Sequence, residues 1–496
     1  MFVPIRHRFP ALLLFVLLAG AAVLLAINYT QSLWIDEAET AVIAMPATLH
    51  GWWTALLIDH TSNLQMPLYM LYIWGWVRFF GASEIALRAA NIPWFFVGLF
   101  VIFHCLRRHN GLRNVTLLLY CIHPFVLYYV GEARPYLMQL CGALMVTGAL
   151  FESFDAPEQP GEPFSPRWWW LFGAGITILC GAGMLGAVWA MAFVIFLIWR
   201  PGFCRSLARG GVVPLLLFGL ILIAMGLYYA WTIVENARPT IHGMTIPSML
   251  AVFYEQLGFM GLGPGRADLR VESIFALQPF LIPFAILALP LGWGLFLAVR
   301  RRFGVSRCVF TALLLLALVP VCLIFTFGFL RQVRILGRHL IALFPFILLA
   351  EAWTIRILWK EGRRAGRIAV VLIFGCLILS TLDLRFAYRH TKDDYRSAAA
   401  FGREALSQDK TVWWVANPQG AMYYGLPISV SDSELPGTAL YVAVLPSRIT
   451  NPPDVIVLTK PDLTDTGGEI LQFIAAHRYH LAARFQEFTI FEKQGN

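Results

Sequence analysis

The feature that most limits what this chain can fold into is the recurrence of long apolar runs, at residues 11–27, 89–106, 115–130, 136–151, 168–182, 184–199, 212–233, 274–299, 308–330, 340–355 and 368–382. Most approach the roughly 17–25 residues that a helix needs to cross the hydrocarbon core of a bilayer. With 58% hydrophobic and only 14% charged residues among 496, the chain is too apolar for a water-soluble protein. The expectation is an α-helical polytopic membrane protein with about eleven transmembrane helices, several of them short. Residues 168–199 could form one tilted helix, but Gly181, Gly183 and Gly186 at its middle favour two short helices meeting at a turn.

Orientation follows from the basic residues, which concentrate in short cytoplasmic loops. With the N-terminus inside, segments 1–10, 107–114, 152–167, 200–211, 300–307 and 356–367 hold 18 Lys plus Arg in 66 residues, against 9 in the 116 residues of 28–88, 131–135, 183, 234–273 and 331–339. An odd number of crossings then exports the tail after Leu382. The net charge of +9 is mostly this topology signal and implies no nucleic-acid partner. A cleavable signal peptide is disfavoured, because the small-residue stretch Ala19-Gly20-Ala21 lies inside the first apolar run, which is expected to be retained. None of the eight Cys falls in an exported part, so no disulfide framework is implied.

The chain therefore divides into a membrane domain, 1–384, and an exported domain, 385–496, in which short β-rich stretches (411–416, 439–445, 454–459) alternate with helical patterns at 394–406 and 468–478, a small α/β fold. This tail has no metal cluster, phosphate loop or nucleophile elbow and is expected to be accessory. Within the first outer loop, 28–88, residues 66–88 are aromatic but carry Arg78, Glu84 and Arg88. They are expected to lie in the interface, since a further crossing would invert every later basic loop.

Charges at one face stand out. "SLWIDEAETAVIA" (32–44) places Asp36 and Glu37 just after the first helix, "YYVGEARPYLMQL" (128–140) places Glu132 and Arg134 in a tiny outer loop, and "RQVRILGRHL" (331–340) gathers Arg331, Arg334, Arg338 and His339 against the positive-inside trend. Each could be an interfacial ion pair or a headgroup anchor. Together they put acids and phosphate-matching arginines at one depth. Glu351, inside an apolar run, must face protein or water.

In this order, "W-x-D-E" after the first helix, "PLY" running to "FGASEIALR", "HPFVLYYVGEARPY" and "GRHLIALFP" resemble the GT-C membrane glycosyltransferases, which include bacterial relatives of protein O-mannosyltransferases and lipid A aminoarabinose transferases. The resemblance covers residues 1 to about 384. It implies a polyprenyl-phosphate sugar donor, a lipid, glycan or protein acceptor, and inverting transfer at the outer face of a bacterial cytoplasmic membrane. Carried over, Asp36 is the acid beside the acceptor, with Glu37 its neighbour and Glu132 its partner from the second loop. Arg134, Arg331, Arg334, Arg338 and His339 are candidates for the donor phosphate. Asp59, His60, Asn63 and Tyr69 are acceptor-side candidates. Asp36 and Glu132 could instead hold Mg²⁺ or Mn²⁺, since family members differ in metal use. Two departures from the family pattern are Gln65 and Met66 before "PLY", and the lack of a polar His-containing turn in 168–199. The competing class is a lipid-linked glycan flippase or other transporter, which would need ionisable residues through the bilayer midplane and paired broken helices.

Overall fold

A computed structural model describes residues 18–26, 31–59, 61–155, 164–199, 203–235, 243–301, 307–360, 364–430, 435–445 and 451–494. Helix occupies most of the described part of every apolar run, but among the described residues six stretches are long and apolar enough to span a bilayer: Glu84–Cys105, Phe203–Ile233, Ile274–Arg300, Val309–Arg331, Gly337–Lys360 and Arg364–Phe386. Eleven crossings do not follow from these lengths. Asn110–Ile122, Pro166–Gly181 and Gly186–Ile198 hold 13, 16 and 13 residues. That is about 20–24 Å of helix at 1.5 Å per residue, less than the thickness of an average hydrocarbon core. The run 115–130 is broken by Pro124, which holds His123 in an extended conformation (φ −68°, ψ 126°) and restarts the helix at Pro124–Val130. Residues 168–199 form two helices, as the glycines suggest.

Pro67–Phe80 is a 14-residue helix stopped by Gly81 at φ 78°. It buries Tyr69, Met70, Ile73 and Val77 in an apolar cluster with Ala41, Ile43 and Leu56 of the outer helices Ile35–Ala44 and Leu49–Asp59. Glu84 and Arg88 lie on the short helix Glu84–Ala89, which a turn at Ala90 and Asn91 joins to helix Ile92–Cys105.

Among the helices of the membrane region, contact is closest where side chains vanish. A Cβ on Gly142 would sit 2.6 Å from the Leu179 backbone nitrogen, and one on Gly175 would sit 2.8 Å from the Met145 Cβ, so Tyr136–Asp155 and Pro166–Gly181 pack nearly backbone to backbone. By contrast, the most apolar parts of Phe203–Ile233 and Ile274–Arg300 are only 11% buried, leaving Leu216, Ile223 and Leu289 facing outward, where lipid would cover them.

Beyond Phe386 the chain forms one six-stranded sheet: β1 (Val412–Val415), β2 (Ile428–Ser429), β3 (Ala439–Tyr441), β4 (Val455–Thr459), β5 (Tyr479–Phe485) and β6 (Phe488–Lys493), in the order β2-β3-β1-β4-β6-β5. β1, β2, β3 and β4 run parallel, and the β5–β6 hairpin adds antiparallel to β4. Apolar clusters cover both faces, one with Tyr395 and Trp414, the other with Trp413 and Ile456, which explains why β1 and β4 read as continuous hydrophobic runs.

This domain is bound to the outer helices. Ser32 Oγ donates to the Asp393 carbonyl (2.6 Å) and accepts from the Tyr395 N–H (3.1 Å). Leu33 N–H donates to the Tyr424 hydroxyl (2.6 Å), Asn417 Nδ2 donates to Glu39 (2.9 Å), and Glu84 pairs with Arg396. Arg270, from the segment 234–273, pairs with Asp462 (2.7 Å) and Glu487 (2.9 Å) of this domain.

Candidate active site

Helix Ile35–Ala44 starts with two acids because its N-terminal N–H groups favour negative charge. Glu37, at the third helical position, accepts from the Trp34 N–H (3.4 Å) and so caps its own helix. The same side chain is fully enclosed. Arg88 grips it bidentately (3.0 and 2.9 Å), the Ala133 N–H donates to it (2.9 Å), and Lys392 Nζ lies 3.0 Å away. Burial alone would push the Glu37 carboxyl up. The Arg88 and Lys392 charges, with the Arg88 and Ala133 hydrogen bonds, outweigh that and hold it down to about 2.

Asp36 and Thr40 share the adjacent face, one turn apart. Arg134, itself buried, donates from Nη1 to the Asp36 carbonyl (3.1 Å), the Thr40 hydroxyl (2.9 Å) and Asn63 Oδ1 (2.7 Å). The Asp36 carboxylate is 21% exposed, accepts from Arg338 Nη1 (3.2 Å) and lies 4.0 Å from Arg134 Nη2.

Glu132 is presented by the turn after Pro124–Val130. Asn91 fixes that turn by donating to the carbonyls of Tyr129 (3.1 Å), Val130 (3.3 Å) and Glu132, supplying the donors that a helix C-terminus lacks. The Glu132 carboxylate is 1% exposed and lies 3.6 Å from Lys392 Nζ and 4.0 Å from Arg266 Nη1. Neither oxygen accepts a well-formed hydrogen bond, the Tyr128 hydroxyl one turn back being its other polar neighbour. Arg266, 48% exposed, stacks over Trp34 (5.7 Å) and Tyr128 (4.5 Å). Arg338 lies over Trp34 and Tyr136. Glu255 closes the cluster beside Gly337, where a Cβ would come 2.1 Å from its Oε2. Burial pushes the Glu255 carboxyl up, against the pull of Arg266 and Arg338.

Asp36, Glu37, Glu132, Arg134, Asn63 and Arg338 thus fall in one network. His339 spends Nδ1 on capping its own turn, accepting from the Leu336 N–H (3.1 Å). Arg331 is exposed, and neither it nor Arg334 pairs with the acids among the described residues. Tyr69 is fully buried, with its hydroxyl unpartnered. Asp59 ends helix Leu49–Asp59, and His60 lies outside the described residues. Glu351 meets His123, Oε2 to Nε2 3.6 Å, both buried inside the helix assembly.

Four participants were not singled out from sequence: Arg88, Glu255, Arg266 and Lys392. Arg266 carried a usable signal, since with Arg270 it places basic charge in an outer loop, as Arg331 to Arg338 do. Lys392 carried none, because one lysine in a polar tail is ordinary.

A divalent ion does not suit this set. No group of three or more His, Cys, Asp or Glu converges among the described residues, and Asp36 and Glu132 are each flanked by two cationic side chains that a metal would have to displace.

No known family pattern matches the sequence, and no curated protein is detectably similar to it. Among solved structures, the chain aligns with ArnT from Cupriavidus metallidurans bound to undecaprenyl phosphate, at TM-score 0.52 and 14% identity over 98% of both chains. It aligns with the apo state of that protein at TM-score 0.53 and 13% identity over 97% of both. An oligosaccharyltransferase from Archaeoglobus fulgidus, at TM-score 0.48 and 11% identity, matches 88% of this chain and 64% of its own. Across nearly its whole length, C-terminal sheet domain included, the chain has the fold of ArnT.

Proposed function

We propose that this chain is a membrane glycosyltransferase that moves a sugar from a polyprenyl-phosphate donor to an acceptor at the outer face of a bacterial cytoplasmic membrane, with inversion. The supporting observation is that Asp36 and Glu132, from separate outer segments, lie against one cluster of Arg134, Arg266, Arg338 and Lys392 beside the ends of the membrane helices. A sugar hydroxyl is a weak nucleophile, and a departing phosphate gathers negative charge. The reaction therefore needs a base at one end and cations at the other. Asp36 is the more exposed acid and takes the base role. The acceptor oxygen attacks the anomeric carbon, the carbon–oxygen bond to phosphate breaks with its electron pair leaving on phosphate, and the hydroxyl proton passes to Asp36. Arg338 and Arg266, both partly exposed, face the phosphate charge. Glu132 keeps Arg266 and Lys392 in place, and Glu37, wholly spent on Arg88, Ala133 and Lys392, is scaffold rather than catalyst.

Mass spectrometry of polyprenyl-phosphate lipids from source cells carrying wild-type protein or Asp36→Asn, at matched expression, tests this. Accumulation of one glycosylated polyprenyl phosphate in the variant supports the reading and identifies the sugar. A lipid pool unchanged from wild type counts against it.

A further inference from the structure

Glu132 stands just beyond Pro124–Val130, a helix of seven residues. So short a helix does not hold itself in place, because closing the first turn costs more than its hydrogen bond returns. Side chains hold it at both ends instead. After its last turn Asn91 donates to the carbonyls of Tyr129, Val130 and Glu132. At its start Pro124 has no N–H to satisfy, and the next one, on Phe125, donates to His123 Nδ1 at 3.2 Å. Imidazole is an unusual cap, since Ser, Thr, Asp and Asn serve that position best.

A ring nitrogen accepts a hydrogen bond only while its lone pair is free. His123 can therefore cap this helix in one state alone, the neutral ring with its proton on Nε2. The other neutral tautomer and the doubly protonated ring both turn an N–H toward the Phe125 N–H. Nε2 looks at Glu351, whose Oε2 lies 3.6 Å away, and both side chains are buried among the membrane helices. Among the described residues neither Glu351 oxygen has a well-formed hydrogen bond, and neither does His123 Nε2. The ring is also kept from turning. Its edge meets Phe344, the first residue of the helix that carries Glu351, at 4.9 Å, and Gly258 comes so close that a Cβ there would sit 3.4 Å from Nε2.

Taking its functional consequence from the glycosyltransferase reading, we infer that Glu351 is a positioning residue for Glu132. It keeps the His123 proton on Nε2, which leaves Nδ1 free to cap the helix that presents Glu132 to Arg266 and Lys392. The same logic orients metal-binding histidines, where a carboxylate on one ring nitrogen fixes what the other can do. It gives a reason for an acid in the middle of an apolar helix, a costly placement.

The test uses full-length protein carrying ¹⁵N in its histidine side chains and reconstituted in lipid. Solid-state NMR reads which ring nitrogen bears the proton, the His123 signal being the one absent from His123→Asn. Wild type is expected to show Nε2 protonated and Nδ1 bare, and Glu351→Leu to populate the Nδ1-protonated ring. A wild-type His123 protonated on Nδ1, or a ring unmoved in Glu351→Leu, overturns the inference, and the first result needs no variant to fold. Transfer is read through the lipid pool, as for Asp36→Asn. Glu351→Leu is expected to cut it roughly tenfold or more, as loss of a supporting carboxylate does. Asparagine caps with its own oxygen and needs no acid behind it. Adding Glu351→Leu to His123→Asn should therefore cost little further transfer, whereas an equal further loss would make Glu351 merely structural. The tautomer measurement makes no use of transfer, so it stands even if Asp36→Asn leaves the lipid pool unchanged and the glycosyltransferase reading falls.

Discussion

Two carboxylates one residue apart, Asp36 and Glu37, have opposite fates. Glu37 is entirely enclosed and saturated with donors, whereas Asp36 keeps a fifth of its side-chain surface open and is held by Arg338 at a single oxygen. Glu132 resembles Glu37 in burial but not in satisfaction, since its oxygens accept no well-formed hydrogen bond and its cations stand 3.6 and 4.0 Å away. A buried acid with every lone pair filled is committed to the fold. One with capacity left, beside cations that are partly exposed, is available to a ligand.

The contrast is broken most directly at Asp36. Asp36→Asn is nearly isosteric and should cut transfer by roughly 10²–10⁴, the range for loss of a general base, with the melting temperature in detergent close to wild type. A large fall in melting temperature with proportionate loss of activity would make Asp36 another Glu37. Glu37→Gln or Arg88→Met should do the reverse. Leaving one partner of a buried pair uncompensated costs about 3–5 kcal/mol, so these variants should fail first in thermal stability.

The same comparison has a pH signature. Because the folded-state value of Glu37 lies near 2, below the ordinary 4.5, its contribution is complete above about pH 4.5 and is lost as pH falls through about 2. Integrated over that window it is roughly 3 kcal/mol. Thermal unfolding measured between pH 5 and 2.5 should decline more steeply in wild type than in Glu37→Gln. Parallel curves would show that the carboxylate charge adds nothing.

Much of this was legible in the sequence, and the failures have physical causes. Apolar runs located the helices because hydrocarbon tolerates little else. Their number of crossings was not legible, because a run such as 115–130 contains a proline that splits it and 168–199 folds into two helices too short to span an average core. The strands β1, β3 and β4 were visible as dense β-branched and aromatic stretches, while β2 is two residues long and leaves no pattern. Asp36, Glu132 and Arg338, which fall in one network, could be singled out because charge at the edge of an apolar run is rare. Glu351 could be read as facing protein or water, and that it meets His123 is visible only in three dimensions. That Lys392 reaches Glu37 and Glu132 was not legible, since it resembles any solvated lysine until the linker around Ser32 is folded.

The smallest expected effect concerns how firmly the outer domain is held. Asn417 Nδ2 donates to Glu39 (2.9 Å), and Glu39 also accepts from Asn63 (3.4 Å), which accepts in turn from Arg134 (2.7 Å). The path runs from β1 through Asn417 to the arginine behind Asp36. Asn417→Ala removes this part-buried hydrogen bond to a charged group and also the cap of helix Pro418–Tyr423, whose Gln419 and Gly420 N–H groups donate to Asn417 Oδ1 (2.9 and 3.2 Å). Losing such a cap costs about 1 kcal/mol and the part-buried contact about as much, so global stability should fall by roughly 2 kcal/mol. Transfer should fall by a few-fold, with the loss in kcat rather than in KM for the donor, because Arg134 and Asp36 are displaced while the Lys392 side of the site is untouched. A shift confined to donor KM would instead mean that Asn417 acts through the linker, placing domain docking and donor binding on one element and the acid Asp36 on another.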